Sequence, residues 1–153
     1  MDKTIAKKEH ITLCLFDVLG VSEMTRQNEL DRVYSYYCEL SETINHDSEH
    51  TLGGKLIGTR VPVPQPDGTI AIAASAVRIY HTFFSDNFIL WTESHPLGVW
   101  TFDKVCNEVF CMAIENHIPI RGCISSGEAI MDLEKRIFVG NPLVEAAQGY
   151  HSK

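Results

Sequence analysis

The first regular pattern along the chain is an alternation over residues 10–18 in which both sets of positions are apolar. One face carries Ile11, Leu13, Leu15 and finally Asp17, and the other carries Cys14, Phe16 and Val18. Two apolar faces are typical of a strand at the centre of a sheet that is covered on both sides. The pattern therefore predicts a central strand that ends before Gly20.

Helical spacing follows over residues 22–45, where apolar side chains recur every three or four positions. The stripe consists of Leu30, Val33, Tyr34, Tyr37, Leu40 and Ile44. Ser22 is predicted to be the N-cap of this helix, because its hydroxyl can accept a hydrogen bond from a free backbone amide. A second stripe predicts a helix over 102–116, and Pro119 marks the exit from it.

Strands and turns account for much of the remaining chain. Residues 76–84 and 88–92 are rich in β-prone side chains and flank the polar turn Ser85-Asp86-Asn87, which predicts a hairpin. The segment 52–68 is rich in glycine and proline. Short β-prone runs flank its turn, so an irregular hairpin is possible, and a surface excursion is favoured over the functional alternative, a flap over a site.

A second hairpin and a last helix are predicted near the C-terminal end. Residues 118–126 and 128–133 have the pattern of two strands, with Gly127 as a turn or bulge between them, and residues 136–139 extend again. Gly140-Asn141-Pro142 then begins a helix, with Pro142 in its first turn.

The predicted order is strand, helix, hairpin, helix, hairpin, helix. This order favours an α+β fold in which helices pack on a mainly antiparallel sheet, and the ferredoxin-like arrangement is the natural candidate. The 153 residues are predicted to form one domain over 1–153. The chain ends in or just after its last predicted helix, so either the fold is minimal or a C-terminal piece is missing.

Composition narrows the class of protein. The net charge of −7 disfavours a nucleic-acid partner, which would normally require a basic surface. The five cysteines form no CxxC pair and predict reduced, buried thiols in a cytoplasmic protein. No apolar run approaches the roughly 18 residues of a membrane span. His46 and His50 are four residues apart without a third ligand nearby, and we expect them to be solvent-exposed.

Two aspartates stand where packing gives a carboxylate no role. Asp17 ends an apolar strand before Gly20, and Asp86 lies at the tip of the predicted hairpin. An ionised carboxylate among apolar groups costs free energy unless it is paired or binds a metal. The pair suggests a site for hard divalent cations, which commonly also hold phosphates. The structural alternatives are a cap after the strand for Asp17 and an ordinary turn residue for Asp86.

Four short segments, in order along the chain, resemble motifs of class III nucleotide cyclases. They are Phe16-Asp17-Val18-Leu19-Gly20, Ser85-Asp86, the segment 121–128 that begins Arg121-Gly122, and the segment 138–147 around Gly140-Asn141. The family's second motif is usually Gly-Asp, where this chain has Ser85-Asp86. The resemblance is nearest to the stand-alone pyrimidine cyclases of bacterial Pycsar anti-phage systems.

The resemblance implies a reaction in which a nucleoside triphosphate becomes a 3′,5′-cyclic nucleotide and diphosphate with two divalent cations, Mn²⁺ or Mg²⁺. Asp17 and Asp86 would bridge both ions, and the Val18 carbonyl would be a further ligand. The turn from Phe16 to Gly20 would hold the nucleotide, with the Leu19 and Gly20 amides against phosphate oxygens.

The resemblance also gives Arg121 a role in contacting the triphosphate, for which the structural alternative is a surface ion pair. It implies a head-to-tail homodimer with its sites at the interface. The cyclic product would be a second messenger for antiviral defence.

Four positions depart from the family pattern. Thr82 stands where adenylate cyclases have a base-reading lysine and Ile137 where they have an aspartate, while Val144 and Gln148 replace an asparagine and an arginine. The missing purine-reading pair favours a pyrimidine substrate, with UTP ahead of CTP. Tyr80, Thr82, His81 or part of the 52–68 segment would then lie near the base.

Three other functions remain open from the sequence. The first is a purine cyclase, and the second is a degenerate cyclase fold that binds a nucleotide or a partner without catalysis. The third is a polymerase-like palm domain, which also pairs two aspartates on an antiparallel sheet, although the acidic charge disfavours it.

Overall fold

Six strands and four helices form the part of the chain that the computed structural model describes, residues 7–45 and 55–149. The strands are β1 (Glu9–Val18), β2 (Lys55–Pro64), β3 (Ile70–Phe84), β4 (Asn87–Glu93), β5 (Ile120–Asp132) and β6 (Ile137–Gly140). The helices are α1 (Val21–Arg26), α2 (Leu30–Asn45), α3 (Pro96–Glu115) and α4 (Asn141–Gly149). No helix in these two described ranges is long and apolar enough to cross a membrane.

The strands form one sheet in the order β2-β3-β4-β1-β5-β6, and every neighbouring pair is antiparallel. When the outermost strands β2 and β6 are set aside, the order β3-β4-β1-β5 and its connections are those of the ferredoxin-like arrangement. The predicted α+β class is therefore confirmed. The strand with two apolar faces, β1, lies between β4 and β5, as its pattern predicts.

Helices cover the two faces of the sheet separately. On what we call the α2/α3 face, strand side chains meet α1, α2 and α3 in a core that includes Cys14, Phe16, Val18, Phe88, Leu90, Val33, Tyr36, Leu40, Phe102 and Val105. On the opposite α4 face, Ala146 packs with a smaller core that includes Ile11, Leu13, Trp91 and Ala129. Because alternate residues of a strand point to opposite faces, Asp17 projects on the α4 face, in line with Leu13 and Leu15.

The helix predicted over 22–45 is broken into α1 and α2, and Ser22 is not its cap. Gly20 is the N-cap of α1, with a φ of 77°, and its carbonyl accepts from the backbone amides of Glu23 and Met24. Glycine adopts this left-handed conformation without steric cost, whereas Ser22 already lies inside the first turn. The break falls at residues 27–29, where Asn28 has a φ of 59°.

The buried face of α2 is rotated relative to the predicted stripe. Val33 and Leu40 are buried as expected, but Leu30 and Tyr34 are exposed, and Tyr36 is buried instead. The Tyr36 hydroxyl donates a hydrogen bond of 3.1 Å to the Val109 carbonyl in α3, so its polar end is satisfied inside the core.

Two boundaries near the C-terminal end also differ from the prediction. Residues 120–132 form one continuous strand, and Gly127 lies inside it opposite Ile11 rather than in a turn. A Cβ at position 127 would lie 3.2 Å from the Pro142 ring, so glycine allows α4 to approach the strand closely. The helix α3 begins at Pro96 instead of residue 102, because proline is tolerated in a first helical turn.

The glycine- and proline-rich segment contains a strand that pairs with β3, so the hairpin that its β-prone runs allow is present. Residues 55–64 of β2 pair with residues 70–79 of β3, and residues 80–84 of β3 pair with β4. The turn between β2 and β3 is held by Asp67, whose Oδ1 accepts from the Thr69 amide and hydroxyl at 2.9 and 2.6 Å. The glycines Gly53 and Gly54 and the two histidines His46 and His50 lie outside the described residues.

The cysteines are free thiols, but only some are buried. Cys14 and Cys106 lie in the core between β1 and α3, whereas Cys111 is exposed and Cys38 and Cys123 are half-buried. A hydrogen bond to Cys106, together with burial, raises the pKa of the Cys14 thiol. The prediction of buried thiols therefore holds only for this central pair.

Candidate functional site

The C-terminal end of β1 meets the β3–β4 turn, and this contact brings the two aspartates to one edge of the sheet. The Val18 amide donates a hydrogen bond of 2.7 Å to the Asp86 carbonyl. In the β1–β4 register, Asp17 lies opposite Asn87. The two carboxylates thus occur on backbone segments that are joined directly by a hydrogen bond.

The turn that carries Asp86 has a constrained backbone. Ser85 has a φ of 54°, a left-handed conformation that a non-glycine residue seldom adopts. The Tyr37 hydroxyl of α2 donates a hydrogen bond of 3.1 Å to the Ser85 carbonyl. The Asn87 side-chain amide donates a hydrogen bond of 2.9 Å to Asp86 Oδ1, which fixes the carboxylate relative to the turn.

Asp17 forms an ion pair with Arg121 across the neighbouring strands β1 and β5. The residues are directly opposite in the register, and the guanidinium Nε and Nη2 both lie 2.8 Å from Asp17 Oδ2. The Asp17 side chain is 15% exposed and the Arg121 side chain is 45% exposed. The pair therefore neutralises a largely buried carboxylate while part of the guanidinium faces solvent.

The charges of both aspartates affect the pKa of the Tyr37 phenol. Burial, followed by the charges of Asp86 and Asp17, raises the pKa of the Tyr37 phenol to about 12. A phenolate beside two carboxylates would add a third negative charge to a partly buried site. Tyr37 therefore stays protonated as a hydrogen-bond donor throughout the physiological pH range.

The site offers a divalent cation two carboxylates. Across residues 7–45 and 55–149, no group of three or more His, Cys, Asp or Glu side chains could hold a metal ion. Magnesium is typically bound through one or two carboxylates together with substrate phosphates. Asp17 and Asp86 could supply two carboxylates in this way, and Val18 follows Asp17 directly in the chain.

Two residues of the first motif do not take the expected roles. The Phe16 side chain is fully buried and stacks on Phe88 with ring centroids 4.7 Å apart, so it belongs to the core and cannot contact a nucleotide. The Leu19 amide donates a hydrogen bond of 2.8 Å to the Pro119 carbonyl, so it is not free to hold a phosphate oxygen. The Gly20 carbonyl accepts the first hydrogen bonds of α1, so the described role of Gly20 is to cap that helix.

The candidate base-reading residues divide between the two faces of the sheet. Thr82 and Tyr80 project on the α4 face, opposite Ile89 and Trp91 respectively. Thr82 lies on β3, which is two strands away from β1. Along the strand direction it is two residues, or about 7 Å, from the row that contains Asp17 and Asn87. The Tyr80 ring stacks on Trp91 with ring centroids 5.5 Å apart, and this packing explains the orientation of the Tyr80 side chain.

His81 lies on the other face, so it cannot line the same side of the sheet as Thr82 and Tyr80. Its ring contacts the edge of Phe83 in the α2/α3 core at 5.4 Å, and burial lowers its pKa. The alternation of side chains along β3 makes this outcome unavoidable once Thr82 is on the α4 face.

The other departures from the family pattern lie at the surface. Ile137 and Val144 are 50% and 55% exposed, and Gln148 is exposed as well. The first two side chains are apolar and offer no hydrogen-bonding group to a base or a ribose.

Two contributors to the site were missed from the sequence. The sequence pattern places Tyr37 in the apolar stripe of a helix and Asn87 in a turn. The partner of Tyr37 follows from the way α2 packs beside the hairpin, whereas Asn87 bonds its own neighbour Asp86 through the conformation of the turn.

No family model, curated protein or solved structure matches this chain. The contacts at the end of β1 and at the β3–β4 turn are therefore the basis for assigning a function.

Proposed function

We propose that this chain is a nucleotide cyclase, which converts a pyrimidine nucleoside triphosphate to a 3′,5′-cyclic nucleotide and diphosphate. The observation that carries the proposal is the hydrogen bond between Val18 and Asp86, which joins the two carboxylate-bearing segments at one edge of the sheet. Divalent-cation binding would give the two aspartates at this edge a shared role.

In this proposal, Asp17, Asp86 and the Val18 carbonyl hold two Mg²⁺ or Mn²⁺ ions. When bound, these ions polarise the ribose 3′-hydroxyl and neutralise charge on the triphosphate. The 3′-oxygen forms a bond to the α-phosphorus, the bond from that phosphorus to the diphosphate oxygen breaks, and the hydroxyl proton leaves to solvent.

Arg121 has two tasks in the proposed reaction. It balances the charge of Asp17 through the 2.8 Å contacts, and its side chain, which is 45% exposed at the same edge, would contact a triphosphate oxygen. A planar guanidinium suits both partners, because it can donate to a carboxylate and to a phosphate at once.

The choice of base rests on the family resemblance and on two placements. Thr82 replaces the lysine that reads adenine, and His81 points into the opposite core, which leaves the α4 face beside Asp17 without a purine-reading group at these positions. We therefore favour UTP, followed by CTP. A purine substrate is the alternative within the same activity.

A second copy of the chain is proposed as the partner that completes the site. The α4 face extends beyond α4 over half-buried Leu15, Ile89 and Thr82 to Phe84, which is 78% exposed. Such a face suits a head-to-tail homodimer in which the partner supplies contacts to base and ribose. By resemblance, the cyclic nucleotide would act in the cytoplasm as a messenger for antiviral defence.

Incubation of the purified protein with each of the four nucleoside triphosphates and Mn²⁺ or Mg²⁺ tests the reaction. We expect cyclic UMP as the main product, identified by mass and by co-elution with the 3′,5′ standard. Cyclic AMP or cyclic GMP alone would contradict the base assignment. The absence of any cyclic product with either metal would contradict the cyclase proposal.

Asp17→Ala and Asp86→Ala test the roles of the carboxylates. Each should lower the cyclisation rate at least about a hundred-fold, since a metal ion contributes several kcal/mol to charge stabilisation. Asp103→Ala is the matched control, because Asp103 is exposed on α3 and its carboxylate accepts a hydrogen bond of 3.4 Å from Asn107 in its own helix. Circular dichroism checks folding, and full activity in either site variant would exclude the two-metal assignment.

Binding without catalysis is the second candidate, and two observations favour it. Arg121 engages Asp17, and the Leu19 amide is occupied by the Pro119 carbonyl. This function predicts saturable nucleotide binding by calorimetry with no turnover. A primer-extension assay distinguishes the polymerase-like alternative.

A further inference from the structure

Tyr37 connects α2 to the turn that carries Asp86. Its hydroxyl donates to the Ser85 carbonyl at 3.1 Å. Its ring stacks on Phe83 at 4.7 Å and meets the edge of Phe88 at 5.6 Å, so the phenol is held by residues on both strands of the hairpin. The hydroxyl is therefore directed at the turn by a ring that has little freedom to move.

The turn needs such support because its backbone is strained. Ser85 has a φ of 54°, and a non-glycine residue in this region persists only when its surroundings determine its conformation. The hydrogen bond from Tyr37 fixes the carbonyl of that strained residue, immediately before Asp86.

Three elements fix the position of Asp86 from different directions. Strand β1 contributes the Val18 amide, which donates to the Asp86 carbonyl at 2.7 Å. The hairpin contributes Asn87, which donates to Asp86 Oδ1 at 2.9 Å. Helix α2 contributes Tyr37, which alone among the three reaches the turn from outside the sheet.

We propose that Tyr37 is a positioning residue whose hydroxyl holds the Ser85-Asp86 turn so that Asp86 and Asp17 face one divalent cation. This inference rests on the proposed function, but it concerns the binding of the cation rather than the cyclisation step. Tyr37→Phe removes only the hydroxyl and retains the ring that stacks on Phe83.

The neighbouring tyrosine provides a matched control. Tyr36 also lies in α2, and its hydroxyl also donates to a backbone carbonyl at 3.1 Å, that of Val109 in α3. Tyr36→Phe therefore removes an equivalent hydrogen bond from the core without touching the turn. Any effect that is specific to the site separates the two variants, whereas a general loss of stability does not.

Titration of the full chain with Mn²⁺ alone, followed by the electron paramagnetic resonance signal of the free ion, measures the cation site. We expect Tyr37→Phe to raise the dissociation constant about five-fold, the typical consequence of losing one hydrogen bond. Tyr36→Phe should leave the constant unchanged, and Asp86→Asn should abolish binding. Equal constants for Tyr37→Phe and the unmodified protein, or equal weakening in both tyrosine variants, would overturn the inference.

Separate outcomes identify a failure of the inference and a failure of the proposed function. Suppose that the unmodified protein binds Mn²⁺ and that, of the two tyrosine variants, Tyr37→Phe alone has a weaker affinity. If no nucleoside triphosphate then yields a cyclic product, the cyclase proposal fails and the role of Tyr37 stands. If Mn²⁺ does not bind to the unmodified protein, the inference fails as well. If cyclisation proceeds and Tyr37→Phe retains full Mn²⁺ affinity, only the inference fails.

Discussion

At the scale of single residues, the site is a balance of charges at one edge of the sheet. Asp17 is mostly buried and is neutralised by Arg121, while Asp86 is oriented by Asn87. A buried charge costs less free energy when such partners replace the water that it has lost. The two aspartates are thereby held on neighbouring segments at one edge of the sheet.

Ser85→Gly is expected to stabilise the protein, because Ser85 has a φ of 54° and only glycine adopts this conformation without steric cost. The left-handed penalty for other residues is about 1–2 kcal/mol, partly offset by the extra freedom of glycine in the unfolded chain. The expected gain is about 0.5–1 kcal/mol in the free energy of unfolding, measured by urea denaturation. A loss of stability would show that the Ser85 side chain makes a necessary contact.

At the scale of elements, α2 and α3 pack side by side against one face of the sheet, and each brings a polar group into that core. Tyr36 satisfies its hydroxyl through the Val109 carbonyl. Thr101 in α3 is 1% exposed, and its hydroxyl has no hydrogen-bond partner among the described residues. A buried hydroxyl without a partner costs free energy that an apolar group of the same shape does not.

Thr101→Val should therefore raise the free energy of unfolding by about 1 kcal/mol. Thr12→Val is the contrasting variant, because Thr12 is equally buried but its hydroxyl forms hydrogen bonds of 2.8 Å with Ser94 and Ser126. We expect that substitution to lower stability by a similar amount. Urea denaturation of both variants checks the pair, and a loss of stability in Thr101→Val would indicate a hydrogen bond made by that hydroxyl.

At the scale of the whole molecule, the described helices cover the two faces of the sheet unequally, with three on one face and α4 alone on part of the other. The uncovered part of the α4 face lies beside Asp17 and ends at the exposed Phe84 ring. Apolar surface beside a charged site is typical of an interface that completes the site. The dimer proposal belongs to this scale, because no single residue indicates it.

Dilution of the purified protein tests the dimer proposal. If the sites lie between two copies, the cyclase activity per chain should fall as dimers dissociate, and the midpoint should coincide with the dissociation constant from analytical ultracentrifugation. Phe84→Ser should shift both midpoints to higher protein concentration without lowering the stability of the monomer, since Phe84 is 78% exposed. Full activity in a sample that sediments as a monomer would exclude an interfacial site.

Local patterns in the sequence were sufficient to predict several elements of this protein. The two-faced strand β1, the Ser85-Asp86 hairpin tip and the position of Pro142 in the first turn of α4 all follow from spacing and turn chemistry. Errors occurred where two local rules predict different structures for the same residues. Gly20 rather than Ser22 caps α1, and Gly127 permits close packing rather than a turn.

The α+β class and the ends of the strands that carry Asp17 and Asp86 could be predicted from local patterns, because periodicity and turn preferences act between near neighbours. Which groups meet at those ends depends on the tertiary fold. Arg121 pairs with Asp17, and Tyr37 holds the turn before Asp86, through the register of β1 with β5 and the packing of α2. These contacts join residues far apart in the chain, and their geometry arises only when the whole sheet and its helices have assembled.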